Sequence, residues 1–148
     1  NGRSTTLCCL NALGTKVITM NHPEPWPLVE FLRANTIDDL VIEVQIPIAK
    51  GLAFETVGRS PKDLPIVCVA AVKNPDGTIN VAFGGAHDIF DSLTLSGLTD
   101  DGQEAINMAF ANSDDKWASA EYRQSAASIL LARALQKLDR AGHDQEEK

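Results

Sequence analysis

The most regular pattern in this chain lies near its C-terminal end. From Ser119 to about Arg140, Ala120, Ala127, Leu130, Leu131, Ala134, Leu135 and Leu138 recur at three- and four-residue steps. Arg123, Gln124, Arg133, Gln136, Lys137 and Asp139 fall between them. One apolar stripe and one polar face predict an amphipathic helix, with the polar set in water. Gly142 is the expected stop, and the polar segment 143–148 is expected to fray.

Further upstream the pattern changes. Ile66–Val72 is a run of strand length, and Thr78–Phe83 is a second strand. Asn74-Pro75-Asp76-Gly77 between them predicts a hairpin turn, because Pro fixes φ early in the turn and Gly accepts the positive φ that follows. Phe54–Gly58 leads in as a kinked apolar stretch, followed by a polar, proline-marked loop from Arg59 to Pro65. Closer to the start, Ser4 can cap a short helix over Leu7–Leu13 that Gly14 ends. Lys16–Met20 and Leu40–Ile46 read as strands, the second closed by Pro47. His22–Pro27 holds three prolines and predicts an extended loop, and Leu28–Leu32 a helical turn or two. Beyond the hairpin, Gly84-Gly85-Ala86-His87 marks a sharp turn or a close approach of backbone, and Ile89–Leu98 is weakly patterned. Thr99-Asp100-Asp101 predicts a helix start running to about Ala111, and Asn112–Asp115 a loop and second cap.

Strands gathered ahead of helices imply an α+β fold. The expected architecture is an antiparallel sheet of three to four strands, packed on one face by helices, with a small N-terminal αβ unit. The divisions are 1–47, 48–142 and the tail 143–148.

Composition narrows the function classes. The 148 residues, 44% hydrophobic, are enough for one domain with a core. A net charge of -7 would repel a phosphate backbone or an anionic membrane surface, so neither nucleic acid nor membrane is an expected partner. Cys8, Cys9 and Cys68 are an odd set with no CxxC pair. They predict small buried thiols in a reducing, cytoplasmic setting rather than a disulfide framework or a metal site. The first residue is Asn1, which is read as the trace of a longer upstream chain.

No catalytic constellation declares itself. His22, His87 and His143 are scattered, and Ser125 and Ser128 lie on a predicted helix without a nucleophile elbow. Asp100/Asp101 and Asp114/Asp115 read as helix caps rather than metal ligands. Trp117 before Ser119 fits a hydrophobic staple. Arg123, in the first turn of its helix, needs an acid or a backbone carbonyl to offset the helix dipole. The pointed segment is the loop: Arg59 and Asp63, four apart, could pair and stiffen it, or could offer a polar edge to a planar ligand lying against Phe54.

Three separated stretches carry a family resemblance: FETVGRSPKDLPIVCVAAV, then DGTINVAFGG, then WASAEYRQSAASILLARAL. Together they resemble the C-terminal domain of the FAD-binding medium subunit of molybdenum hydroxylases, of the carbon monoxide/xanthine dehydrogenase type, over about residues 51 to 140. Residues 1–47 resemble the end of that subunit's second FAD subdomain, through Leu10–Val17 and Leu40–Pro47. Thr56 and Ser60 stand where the family often has lysine and arginine, and the segment after Gly85 is shortened, without the family's P-x-R. The resemblance implies an oxidoreductase component. Molybdopterin and iron–sulfur subunits would be its partners, FAD its cofactor, and Phe54, Arg59, Asp63, Gly84 and Gly85 the flavin-facing residues. The glycine-rich FAD loops of the family lie in its two N-terminal subdomains; the first is absent from this sequence and the second lacks its loop unless Asn1-Gly2 is its remnant, so a truncated or separately encoded subunit would complete its flavin site with another chain. The competing expectation is a non-catalytic docking or dimerisation module, because strands at 16–20 and 40–46 leave edges and apolar surface that favour a homodimer.

Overall fold

The computed structural model describes residues 2–34, 38–60, 62–85, 91–98 and 102–146. The chain opens with α1 (Thr5–Ala12), where the Ser4 hydroxyl accepts the Leu7 N–H at 3.3 Å. After Gly14 come β1 (Lys16–Thr19), the two-residue β2 (Trp26–Pro27), α2 (Leu28–Ala34) and β3 (Val41–Gln45). These strands form an antiparallel sheet in the order β2-β1-β3. Asp39 fastens its rim: Thr19 Oγ1 donates to one carboxylate oxygen at 2.7 Å and the Asn21 N–H to the other at 3.1 Å. The Thr19 bond is the main reason the Asp39 carboxyl is held below its ordinary range.

The second sheet runs β4 (Gly51–Val57), β5 (Val67–Lys73), β6 (Ile79–Gly84) and β7 (Asp91–Leu95), all antiparallel and in sequence order. Six of the seven β5 residues are buried, the reason its sequence VCVAAVK shows a continuous apolar run instead of alternation. Val67, Val69 and Ala71 face α3 (Gln103–Phe110) and α4 (Ala120–Glu146), whose Ile106, Phe110, Ala127 and Leu131 complete the main core. Cys68, Ala70 and Val72 turn the other way and meet Cys8 and Ala12 of α1, joined by Ala82. Small residues on both sides let the helix lie close, and the Cys8 thiol donates to the Ala82 carbonyl at 3.3 Å. The architecture is α+β, and α1 ties the N-terminal unit to the far face of the larger sheet.

The hairpin turn forms as expected. The Asp76 carboxylate accepts the Thr78 N–H at 2.9 Å, and Gly77 takes φ 91°. A methyl group on Gly77 would touch nothing within 4 Å, so the backbone conformation alone sets the cost of adding one. Gly77→Ala is expected to lose about 1 kcal/mol. A lower urea midpoint at unchanged slope would show it, and an unchanged midpoint would contradict it.

Several expectations need correction. The kink placed at Phe54–Gly58 is absent from the strand: β4 pairs residue for residue with β5 from Gly51 to Val57, and the chain turns only afterwards. The weakly patterned Ile89–Leu98 stretch contains β7, a strand whose inward Leu93 and Leu95 alternate with Ser92 and Thr94. The proline loop contributes β2. Helix α4 continues through Gly142 to Glu146, since one glycine costs a formed helix only about 1 kcal/mol. Arg123, assigned to the wet face, is fully buried. It stands four residues before Ala127 and so belongs to the buried stripe. The Ala86-His87 turn and the Thr99–Asp101 cap lie outside the described residues.

Candidate functional site

The loop after β4 is short, polar and fixed from several directions. The Ile66 N–H donates to the Val57 carbonyl at 2.8 Å, closing its neck, and the Asp63 N–H donates to Ser60 at 3.2 Å. From ahead of α1, Arg3 reaches across to donate to the Leu64 and Pro65 carbonyls at 2.8 and 2.9 Å. Arg59 Nε lies 3.6 Å from Asp63 Oδ2, so the pairing read from the sequence is present. Both groups are open to water, where such a pair contributes at most about 1 kcal/mol. The stronger constraint on Arg59 is aromatic: its guanidinium carbon sits 4.1 Å from the centre of the Trp117 ring. Lys116 Nζ at 4.7 Å and Arg3 at 6.0 Å share that indole.

Beneath this surface lies Arg123. Its Nη1 donates to the carbonyls of Ile66 and Gly85, both at 2.7 Å, and its Nη2 lies 2.6 Å from Asp115 Oδ1. One buried guanidinium therefore ties the start of β5, the end of β6 and the loop ahead of α4. Burial by itself would raise the Asp115 carboxyl. The Trp117 and Ala118 amides and the Arg123 guanidinium outweigh that and hold it below its usual range. Asp114 accepts the Ala120 N–H at 3.2 Å and Ser119 the Tyr122 N–H at 3.2 Å, so this acidic pair serves the helix start.

Gly85 completes the corner. Its φ is 118°, its N–H donates to the Gly2 carbonyl at 2.8 Å, and a Cβ there would lie 2.1 Å from the Ile66 carbonyl oxygen. The close approach expected of the glycine pair is thus, at Gly85, an approach of the chain to itself.

The expected site residues separate into groups. Arg59 and Asp63 come together on Trp117, while Gly84 and Gly85 end β6 beside the base of that loop. Phe54 lies mid-strand opposite Ala70 and packs toward the α1 side, whereas Glu55 faces α4 and pairs with Lys137. Sequence reading missed the roles of Trp117 and Arg3 and the burial of Arg123, though not the acid and carbonyls that Arg123 needs. For Arg123 the signal was its spacing to Ala127, Leu130 and Leu131; for Trp117 and Arg3 no local spacing carries it. The Cys68 neighbour and burial push the Cys8 thiol up, and burial chiefly raises Cys9, so at both the thiolate is disfavoured.

The corner can present cations and an aromatic edge, but it does not cradle a dinucleotide. The Asp63, Ile66 and Gly85 amides that could converge on a phosphate are spent on the Ser60, Val57 and Gly2 carbonyls. A cleft of about 290 Å³ between β6, β7 and α3 is lined by Phe83, Ser92, Leu93, Ala105, Met108 and Ala109, with no charged group among the described residues. FAD therefore does not fit the described residues as a complete ligand.

No protein-family model matches the chain, and no curated protein matches it in sequence. Its fold is that of chains in solved oxidoreductases of the molybdenum hydroxylase kind. It aligns with quinoline 2-oxidoreductase from Pseudomonas putida 86 at TM-score 0.69 and 16% identity, covering 93% of this chain and 56% of that one. With Cu,Mo-CO dehydrogenase the values are 0.69 and 17%, covering 95% and 58%. With the carbon monoxide dehydrogenase from Hydrogenophaga pseudoflava that lacks the Mo-pyranopterin moiety they are 0.63 and 18%, covering 92% and 56%. The chain spans a little over half the length of each, and at these identities the likeness is one of fold.

Proposed function

We propose that this chain is part of the flavin subunit of a molybdenum-hydroxylase-type oxidoreductase, and that it supplies the C-terminal domain lying against FAD. The observation that carries this is the joint match of both sheets: the fold likeness extends over 92–95% of the chain, N-terminal unit included. The order of the three sequence motifs points the same way. In this reading Arg59 and Asp63, stiffened by Trp117, form the polar edge offered to the flavin, and Phe54, Gly84 and Gly85 shape the backbone around it. The phosphate-binding loops lie outside the described residues, and molybdopterin and iron–sulfur subunits are the further partners.

The test is purification of the chain alone and together with the proteins encoded beside its gene. Colourless chain alone and a yellow, FAD-containing assembly with a neighbour is the expected pair of results. An assembly that forms without flavin, or no assembly with any neighbour, would count against the proposal.

A further inference from the structure

The β4–β5 loop is held at its base by a segment about sixty residues away in sequence. Pro65 carries no N–H, so the carbonyls at the end of the loop look elsewhere for donors. Arg3 supplies them: its Nε donates to the Pro65 carbonyl at 2.9 Å and its Nη2 to the Leu64 carbonyl at 2.8 Å. One guanidinium fork spans two successive carbonyls, a geometry that an ammonium does not reproduce. The residue before it, Gly2, accepts the Gly85 N–H at 2.8 Å. Two consecutive residues therefore grip the base of the loop and the end of β6 together.

What fixes Arg3 is a different part of the fold. Ser4, the next residue, caps α1, and α1 is seated on the far face of β5 and β6 through the buried Cys8 and Ala12. With α1 in place, the reach of Arg3 is set, and the loop base follows it. From the other side the Trp117 ring meets Arg59 at 4.1 Å and Arg3 at 6.0 Å. The loop that carries Arg59 and Asp63 thus lies between an anchor ahead of α1 and another ahead of α4.

We propose that Arg3 is a positioning residue: by holding the Leu64 and Pro65 carbonyls it sets where the β4–β5 loop presents Arg59. The hold is a property of this chain; that Arg59 is then presented to a flavin rests on the reading above.

Arg3→Gln tests both halves, by amide hydrogen exchange on the full chain and by FAD fluorescence titration of its complex with the neighbouring polypeptide. The Asp63 amide, bonded to the Ser60 carbonyl, should exchange about tenfold faster, a factor that two hydrogen bonds from a charged donor supply. The amide of Val69, buried in β5, should exchange as in the wild type. In the titration the Kd should rise about fivefold, less than for Arg59→Ala because the Arg59 cation is still present. Arg3→Lys, with its charge but not its fork, should recover part of both effects. Unchanged Asp63 exchange, or Val69 accelerated equally, would overturn the hold. A loosened loop with unchanged Kd, beside an Arg59→Ala complex that binds FAD weakly, would overturn the positioning role and leave the flavin reading standing. An unchanged Kd in both variants would remove the loop from the flavin site, and the positioning role with it.

Discussion

Gly85→Ala is expected to be far more damaging than the same change at Gly14, Gly51, Gly58, Gly77, Gly97 or Gly102. The new carbon would meet the Ile66 carbonyl oxygen at 2.1 Å, its carbon at 2.7 Å and the Val67 Cα at 2.8 Å, all of them backbone. Rotating a side chain cannot relieve the clash. Moving the backbone would pull Ile66 and Gly85 away from the Arg123 guanidinium that binds both carbonyls. Overpacking and the strain of φ 118° together are expected to cost about 4 kcal/mol. Against the roughly 5–15 kcal/mol that holds an ordinary domain together, this leaves a marginal protein. The check is chemical denaturation with Gly77→Ala alongside. Gly77 also has positive φ but open space around it, so the difference between the variants isolates the clash. Equal, small losses at both positions would contradict the close approach at Gly85.

Removing the Arg123 guanidinium should cost almost as much. Arg123→Met keeps the length and apolar contacts of the side chain but strands two buried carbonyls and the Asp115 carboxylate. The Asp115 side chain is 36% exposed, so the cost lies mainly in the two buried carbonyls left without a donor, about 1–3 kcal/mol each. Arg123→Lys should fall in between, because one ammonium cannot reproduce the geometry of the fork. The two losses, Gly85→Ala and Arg123→Met, should not add, since each disrupts the same carbonyls. The pH dependence gives a second readout. The Asp115 carboxyl is depressed in the folded protein, so its contribution is present above the carboxylate's unfolded pKa and lost as pH falls through the folded one. Since Arg123 is one cause of that depression, the gap between wild type and Arg123→Met should narrow below about pH 4. A gap independent of pH would mean that the carboxylate contributes nothing through the arginine.

Both predictions concern one corner, and the corner shows where sequence reading reaches its limit. The central hairpin, the capped first helix and the long last helix were legible because each follows from local spacing: apolar steps, a Ser cap, a Pro-Asp-Gly turn. β7 was hard to see because its polar Ser92 and Thr94 dilute a short pattern. Arg123 was misplaced because its residue type suggested water while its position, four before Ala127, put it inside. The partners it needed, a neighbouring acid and backbone carbonyls, were anticipated from the helix dipole. The Arg59–Asp63 pair was visible as a four-residue spacing. Its stacking on Trp117 was not, since that contact is made by the fold bringing the start of α4 to the β4–β5 loop. The same holds for Arg3, which reaches the loop only because α1 lies across β5 and β6.

The corner also gives the flavin reading its sharpest form. If Arg59, steadied by Trp117 and Asp63, faces the flavin in the assembled subunit, then removing it should weaken FAD without disturbing assembly. The measurement is an FAD fluorescence titration of the complex between this chain and its neighbouring polypeptide, wild type against Arg59→Ala. Losing one charge-assisted contact should raise the Kd by about tenfold while the complex stays intact. An Arg59→Ala complex that binds FAD as tightly as the wild type would remove this loop from the flavin site, and a wild-type complex that binds no FAD would contradict the assignment itself.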